Sequence, residues 1–153
     1  MYIMNMDKCA NPVTASVVCD QDLQRGLVVK ITGQANNNIW VDGADNEAYK
    51  VELADANADK GDLLIHTSVP FSYDERDTER DYVLKAGEVG RGHYLHTGDE
   101  FTLPADMVDA DAVGEEVGLK GNGKLGTGAT VVIGVVTKIY NFNGQESIRI
   151  RIK

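Results

Sequence analysis

The chain reads as an all-β protein, a body of short strands closed into a β-barrel or sandwich behind an extended N-terminal arm. Three observations predict this. Apolar and polar residues alternate without a break through Ser147-Ile148-Arg149-Ile150-Arg151-Ile152-Lys153, the period of a half-buried strand. Nowhere do apolar residues recur at helical spacing for even three turns. Short apolar runs are separated by the turn pairs Asp42-Gly43, Gly98-Asp99 and Asn143-Gly144, as in all-β folds.

Residues 1–24 read as the arm, because Pro12 and short polar breaks disfavour a helix and the apolar residues come in small groups. The body, 25–153, begins with the β-rich run from Arg25 to Thr32, which Gly33 ends. Ile39-Trp40-Val41 forms a short strand, and Tyr49 to Leu53 alternates as a half-buried one. Asp55 to Asp62 is a polar loop or a single helical turn, Leu63 to Val69 returns to strand, and Pro70 stops it. The charged stretch from Asp74 to Asp81 divides the body into two sub-halves joined by a loop at 72–81.

The second half repeats the style of the first. Tyr82 to Leu84 and Glu100 to Leu103 are strands, and Pro104 to Asp111 holds one helical turn. Gly121 to Gly128 is a hairpin or inter-strand loop. Val131 to Val136 is continuously apolar, as in a strand buried on both faces, and runs on to Tyr140. Asn141 to Gly144 then turns into the terminal strand, with Ile148, Ile150 and Ile152 on one face and Arg149, Arg151 and Lys153 on the other.

Composition narrows the function. At 153 residues the chain can bury a full core without staples. A net charge of −9 argues against a protein that wraps nucleic acid. No run reaches the roughly 18 apolar residues of a membrane helix, which points to a partner other than a membrane. Cys9 and Cys19 form no disulfide framework and are read as free thiols.

The chemical constellations are weak. His93-x-x-His96 with Asp99 invites a metal, but residues three apart on a strand face opposite sides, so one packed and one exposed histidine is the expectation. Asp106, Asp109 and Asp111 lack the glycine and glutamate of a calcium loop. In Gly121 to Gly128, Lys124 is followed by Leu125 and then by β sequence, so no phosphate loop is expected. No serine or cysteine sits in a nucleophile motif. The expectation is a protein that is not an enzyme, with no cofactor and no metal. The aromatics Trp40, Tyr49, Phe71, Tyr73, Phe101, Tyr140 and Phe142 are read mainly as core, with a sugar or base platform as the alternative.

One resemblance sharpens this. Leu84 to Val89, Gly98-Asp99-Glu100-Phe101, Val132-Ile133-Gly134-Val135-Val136 and Gly144 to Ile150 follow one another in the order seen in decoration (cement, head-stabilising) proteins of tailed-bacteriophage capsids. The likeness covers about residues 82–153, and residues 1–24 are similar to the arms some of these proteins lay over neighbours. The resemblance implies a β-tulip-like barrel and a virion protein on the capsid exterior, synthesised in the host cytoplasm. It implies a homo-trimer that clamps adjacent major capsid protein subunits. On that reading the arm and terminal strand carry the contacts, through Val13, Val17, Val18, Ile148, Arg149, Ile150 and Arg151. The alternative is another virion or surface β-module, such as a head-fibre base or a carbohydrate-binding domain.

Overall fold

The computed structural model describes residues 4–9, 14–34, 48–68 and 82–153. The described residues form strands β1 (Asn5–Lys8), β2 (Thr14–Cys19), β3 (Leu23–Gln24), β4 (Val28–Gln34), β5 (Ala48–Leu53), β6 (Leu63–His66) and β7 (Val83–Leu84). They continue with β8 (Val89–Tyr94), β9 (Glu100–Pro104), β10 (Val108–Asp109), β11 (Glu116–Gly121), β12 (Lys124–Gly126), β13 (Val132–Phe142) and β14 (Gln145–Ile152). The only helical pieces among them are single 3-10 turns at Lys60–Asp62 and Ala105–Met107, inside the two segments read as helical turns. The fold is all-β, as the alternation and turn pattern predict. The predicted strand at Ile39 to Val41 and the loop at 72–81 lie outside the described residues.

Two β-layers carry the architecture. Strands β2-β5-β4-β6-β8 close into a barrel, and β1-β9-β14-β13-β11-β12-β10 form a seven-stranded sheet. The barrel is antiparallel except for β2 against β5, which run parallel. Val17, Val29, Val51, Leu64 and Leu84 fill its interior. A larger core lies between barrel and sheet, where Val28, Leu63 and Ile65 meet Phe101, Leu103, Leu119, Ile133, Ile148 and Ile150. This explains the unbroken apolar runs Val28-Val29 and Leu63-Leu64-Ile65. Alternate residues point into different cores, so both faces are dry at the start of β4 and along β6.

The glycine-rich stretch fastens the layers. Asn122 and Gly123 both have positive φ, and they make the tight turn between β11 and β12. Gly123 N–H donates to Ala54 O at 3.0 Å, and Val28 N–H donates to Gly123 O at 2.9 Å. A Cβ on Gly123 would lie 2.7 Å from Val28 O, so only glycine lets the turn dock this closely.

The described part of 1–24 is not a free arm. β1 is an edge strand of the sheet, paired with β9 through Asn5↔Thr102 and Met6↔Phe101. β2 lies between β5 and β8 inside the closed barrel. A strand so enclosed satisfies its backbone on both sides.

Candidate functional site

The predicted contact residues that fall among the described ones can be placed one by one on the strands of the sheet and barrel. β14 is not an edge. It is paired on one side with β13 and on the other with β9, so it has no free backbone to offer a neighbour. Ile148 and Ile150 are buried in the inter-layer core. Val17 fills the barrel, and Val18 packs with Ala48 and Val89. These four side chains serve the protein's own packing, which corrects the expectation that they face a partner. Val13 lies outside the described residues. Arg151 is exposed.

Arg149 belongs to a polar ladder across the outer face of the sheet. Its Nη2 donates to Glu100 Oε2 at 3.3 Å, and its Nε stands 3.7 Å from Asp7 Oδ2. Lys8 Nζ lies 3.2 Å from the same Glu100 oxygen. Burial opposes ionisation of Glu100, but Lys8 and Arg149 outweigh it and hold its pKa below the usual value. Thr102 Oγ1 donates to Asp7 Oδ2 at 2.6 Å and is hydrogen-bonded to Tyr140 Oη at 2.8 Å. The ladder holds edge strand β1 onto β9 and uses the terminal basic face internally.

What remains exposed is small and specific. Among the described residues the large apolar side chains left exposed are Val113 before β11 at 62%, Met6 on β1 at 47% and Ile139 on β13 at 44%. Ile139 stands at the mouth of an open groove of about 790 Å³, which Asp106, Asp109, Asp111 and Glu146 also line. Sequence reading singled out the three aspartates but not the groove, because Glu146 and Ile139 reach it from the far hairpin. Tyr140 and Phe142 pack edge to face at 6.0 Å, with Lys138 Nζ 4.2 Å over the Tyr140 ring. Phe101 is core. Trp40, Phe71 and Tyr73 lie outside the described residues.

His93 on β8 is buried and His96, in the loop after that strand, is exposed, the one packed and one exposed histidine that were expected. His66 is also buried. Its Nδ1–H donates to Gln24 O at 2.9 Å, and its Nε2 accepts from Ser68 Oγ at 2.8 Å. Burial lowers its pKa to about 4. Both cysteines are free. Burial, Asp99 and Asp7 push the Cys9 thiol up to about 11. Cys9, His93 and Asp99 come together at the junction of barrel and sheet, a grouping the sequence hides because Cys9 is remote along the chain.

No protein-family model matches the chain, and no curated protein matches it. Among solved structures, the chain is similar to the head fibre gp8.5 N base of bacteriophage phi29. The TM-score is 0.52 at 9% identity, over 94% of this chain and 95% of that one. At that identity the shared property is the fold, and it is shared along nearly the whole length of both chains.

Proposed function

We propose that this chain is a structural protein of a tailed-phage head and serves as the base module of a surface appendage. The observation that carries the reading is the near full-length likeness to a head-fibre base. Three features of the chain support a scaffold role. The barrel has no open edge. The net charge of −9 keeps copies soluble before assembly. Among the described residues the large exposed apolar side chains are few: Met6 at the sheet edge, Ile139 in the groove and Val113 in the loop before β11.

In this reading the module sits on the capsid exterior, binds the major capsid protein and assembles as a homo-trimer, as symmetric shells favour. Its contacts run through exposed groups: Met6 at the edge strand, Ile139 in the acidic groove, and Arg151. A clamp that works by inserting the terminal strand into a neighbour has less support, because both sides of β14 are already paired.

The test is co-sedimentation of the purified protein with heads that lack it, followed by heating of decorated and bare heads. Saturable binding with equal heat release of DNA from both samples is the expected result. Binding that markedly delays DNA release would replace the base module with a head-stabilising clamp. No co-sedimentation, with only tail or host proteins recovered from lysate, would end the head assignment.

A further inference from the structure

We propose that Cys9, His93 and Asp99 form a binding site for a divalent transition-metal ion of the zinc class, which clasps the barrel to the sheet. The three side chains come from three separate places. Cys9 follows edge strand β1, His93 lies near the end of barrel strand β8, and Asp99 precedes sheet strand β9. One ligand atom from each lies within 4.8 Å of the other two. Around a tetrahedral zinc such atoms stand roughly 3.3–3.8 Å apart, so closing the site takes only small side-chain rotations.

Packing alone does not account for this cluster. His93 is 1% exposed, and neither Nδ1 nor Nε2 has a hydrogen-bond partner. Its ring packs edge to face on Phe101 at 5.8 Å, which satisfies the carbon edge and leaves the nitrogens unanswered. A buried polar atom without a partner costs about 1–3 kcal/mol, and the neighbours it has are a thiol and a carboxylate. His66, the other buried histidine, has both nitrogens bonded, so this protein otherwise pairs its interior imidazoles.

The donor set selects the ion. One thiolate, one imidazole and one carboxylate suit zinc and its neighbours and are wrong for calcium or magnesium, which take oxygen. Asp99 is also placed from behind. Its Oδ2 accepts the His96 N–H at 3.3 Å, and its backbone carbonyl accepts the Ile152 N–H at 2.8 Å. Cys9 is only half-buried and the His96 ring is 46% exposed, which leaves a path from solvent. The fourth position falls to water or to His96, whose Nδ1 is 3.8 Å from Asp99 Oδ2.

The test uses the full chain, freed of any purification tag, with cobalt(II) and zinc(II) as probes. Cobalt is expected to give visible d–d absorption together with a thiolate charge-transfer band in the near ultraviolet. Zinc should displace it and raise the melting temperature in a concentration-dependent way. Cys9→Ser is conservative at a half-buried position and leaves the fold intact. It should abolish the charge-transfer band and weaken binding by more than ~100-fold, beyond the loss expected for an outer partner. Asp99→Asn should weaken binding while keeping the band. Cys19→Ala should bind as the parent does. Absence of the thiolate band in the parent would overturn the proposal, as would a Cys9→Ser protein that keeps the full zinc-dependent rise in melting temperature.

Discussion

Gly134, in the Val-Ile-Gly-Val-Val strand β13, tests how closely the two longest strands pass. It pairs with Ile152 on β14. A Cβ at this position would lie 2.5 Å from Arg151 O and 3.2 Å from Arg151 C. Carbon meets carbonyl oxygen at roughly 3.3 Å even in close sheet contacts, so an added methyl overlaps by roughly 0.8 Å. The obstacle is backbone, which cannot turn aside as a side chain does. The strands must part at the centre of the sheet, and the neighbouring ladder bonds stretch. Overpacking costs about 1–3 kcal/mol, and a backbone obstacle belongs at the top of that range. Restricting the unfolded chain returns about 0.4–1 kcal/mol. Gly134→Ala should therefore lose about 2 kcal/mol, which at this length lowers Tm by about 4–8 °C. The control is Gly33→Ala, where nothing lies within 4 Å of the added Cβ and a gain of up to ~1 kcal/mol is expected. Urea unfolding followed by far-ultraviolet circular dichroism measures both. A Gly134→Ala protein as stable as the parent would refute the close approach and the register on which it rests.

Three further outcomes follow from the same packing. Ile150→Ala should cost about 2–5 kcal/mol in the isolated chain, and Arg151→Ala less than about 0.5 kcal/mol; calorimetry that finds the two equal would put Ile150 at a surface. Thr102→Val removes the hydroxyl between Asp7 and Tyr140 and should cost about 1–3 kcal/mol, with hydrogen exchange speeding first in β1; unchanged exchange there would deny the ladder its role. His66 is held neutral, so the unfolded chain takes up a proton near pH 6.5 that the native chain refuses until about pH 4. Its influence on stability is constant above pH 6.5, turns unfavourable as pH falls from 6.5 to about 4, and is level below that, with a total of roughly 3 kcal/mol. Urea midpoints at a series of pH values should show a shallower fall for His66→Gln than for the parent, and parallel curves would count against the burial argument.

The parts of the fold that were legible are those whose pattern is local. The β13–β14 hairpin announces itself through alternation and an Asn143-Gly144 turn, both at positive φ. The apolar run at Val132 is a strand because its neighbours in sequence demand one. The N-terminal strands were not legible as strands because their partners are remote: Met6 pairs with Phe101 and Val17 with Gly90. A four-residue polar strand such as β1 carries no period strong enough to be seen alone. The contact residues failed for a related reason. Alternation shows that Ile148 and Ile150 share a face but not whether that face meets another layer of the same chain. The Cys9, His93 and Asp99 grouping was half visible. The sequence sets His93 near Asp99, but it offers His96 as the third group where folding brings in Cys9.

The placement of residues 4–9 and 14–19 changes what a truncation can show. Removing residues 1–24 looks like the direct test of an arm that grips a neighbouring subunit. In this fold it also deletes β2, the strand that joins β5 to β8 and closes the barrel. It takes Val17 and Cys19 out of the barrel core as well, and it removes β1 and its ladder to Glu100, Thr102 and Arg149. A truncated chain would leave β5, β8 and β9 each with an open edge and lose affinity by unfolding, whether or not the segment touches a capsid. Point changes on exposed groups separate the two causes. Met6→Lys leaves every backbone pair of β1 intact and alters only a side chain that is 47% exposed. If the edge strand meets the shell, this variant should melt with the parent and bind heads at least tenfold more weakly. Equal melting with undiminished binding would place the contact elsewhere, and the acidic groove at Ile139 would be the next surface to change.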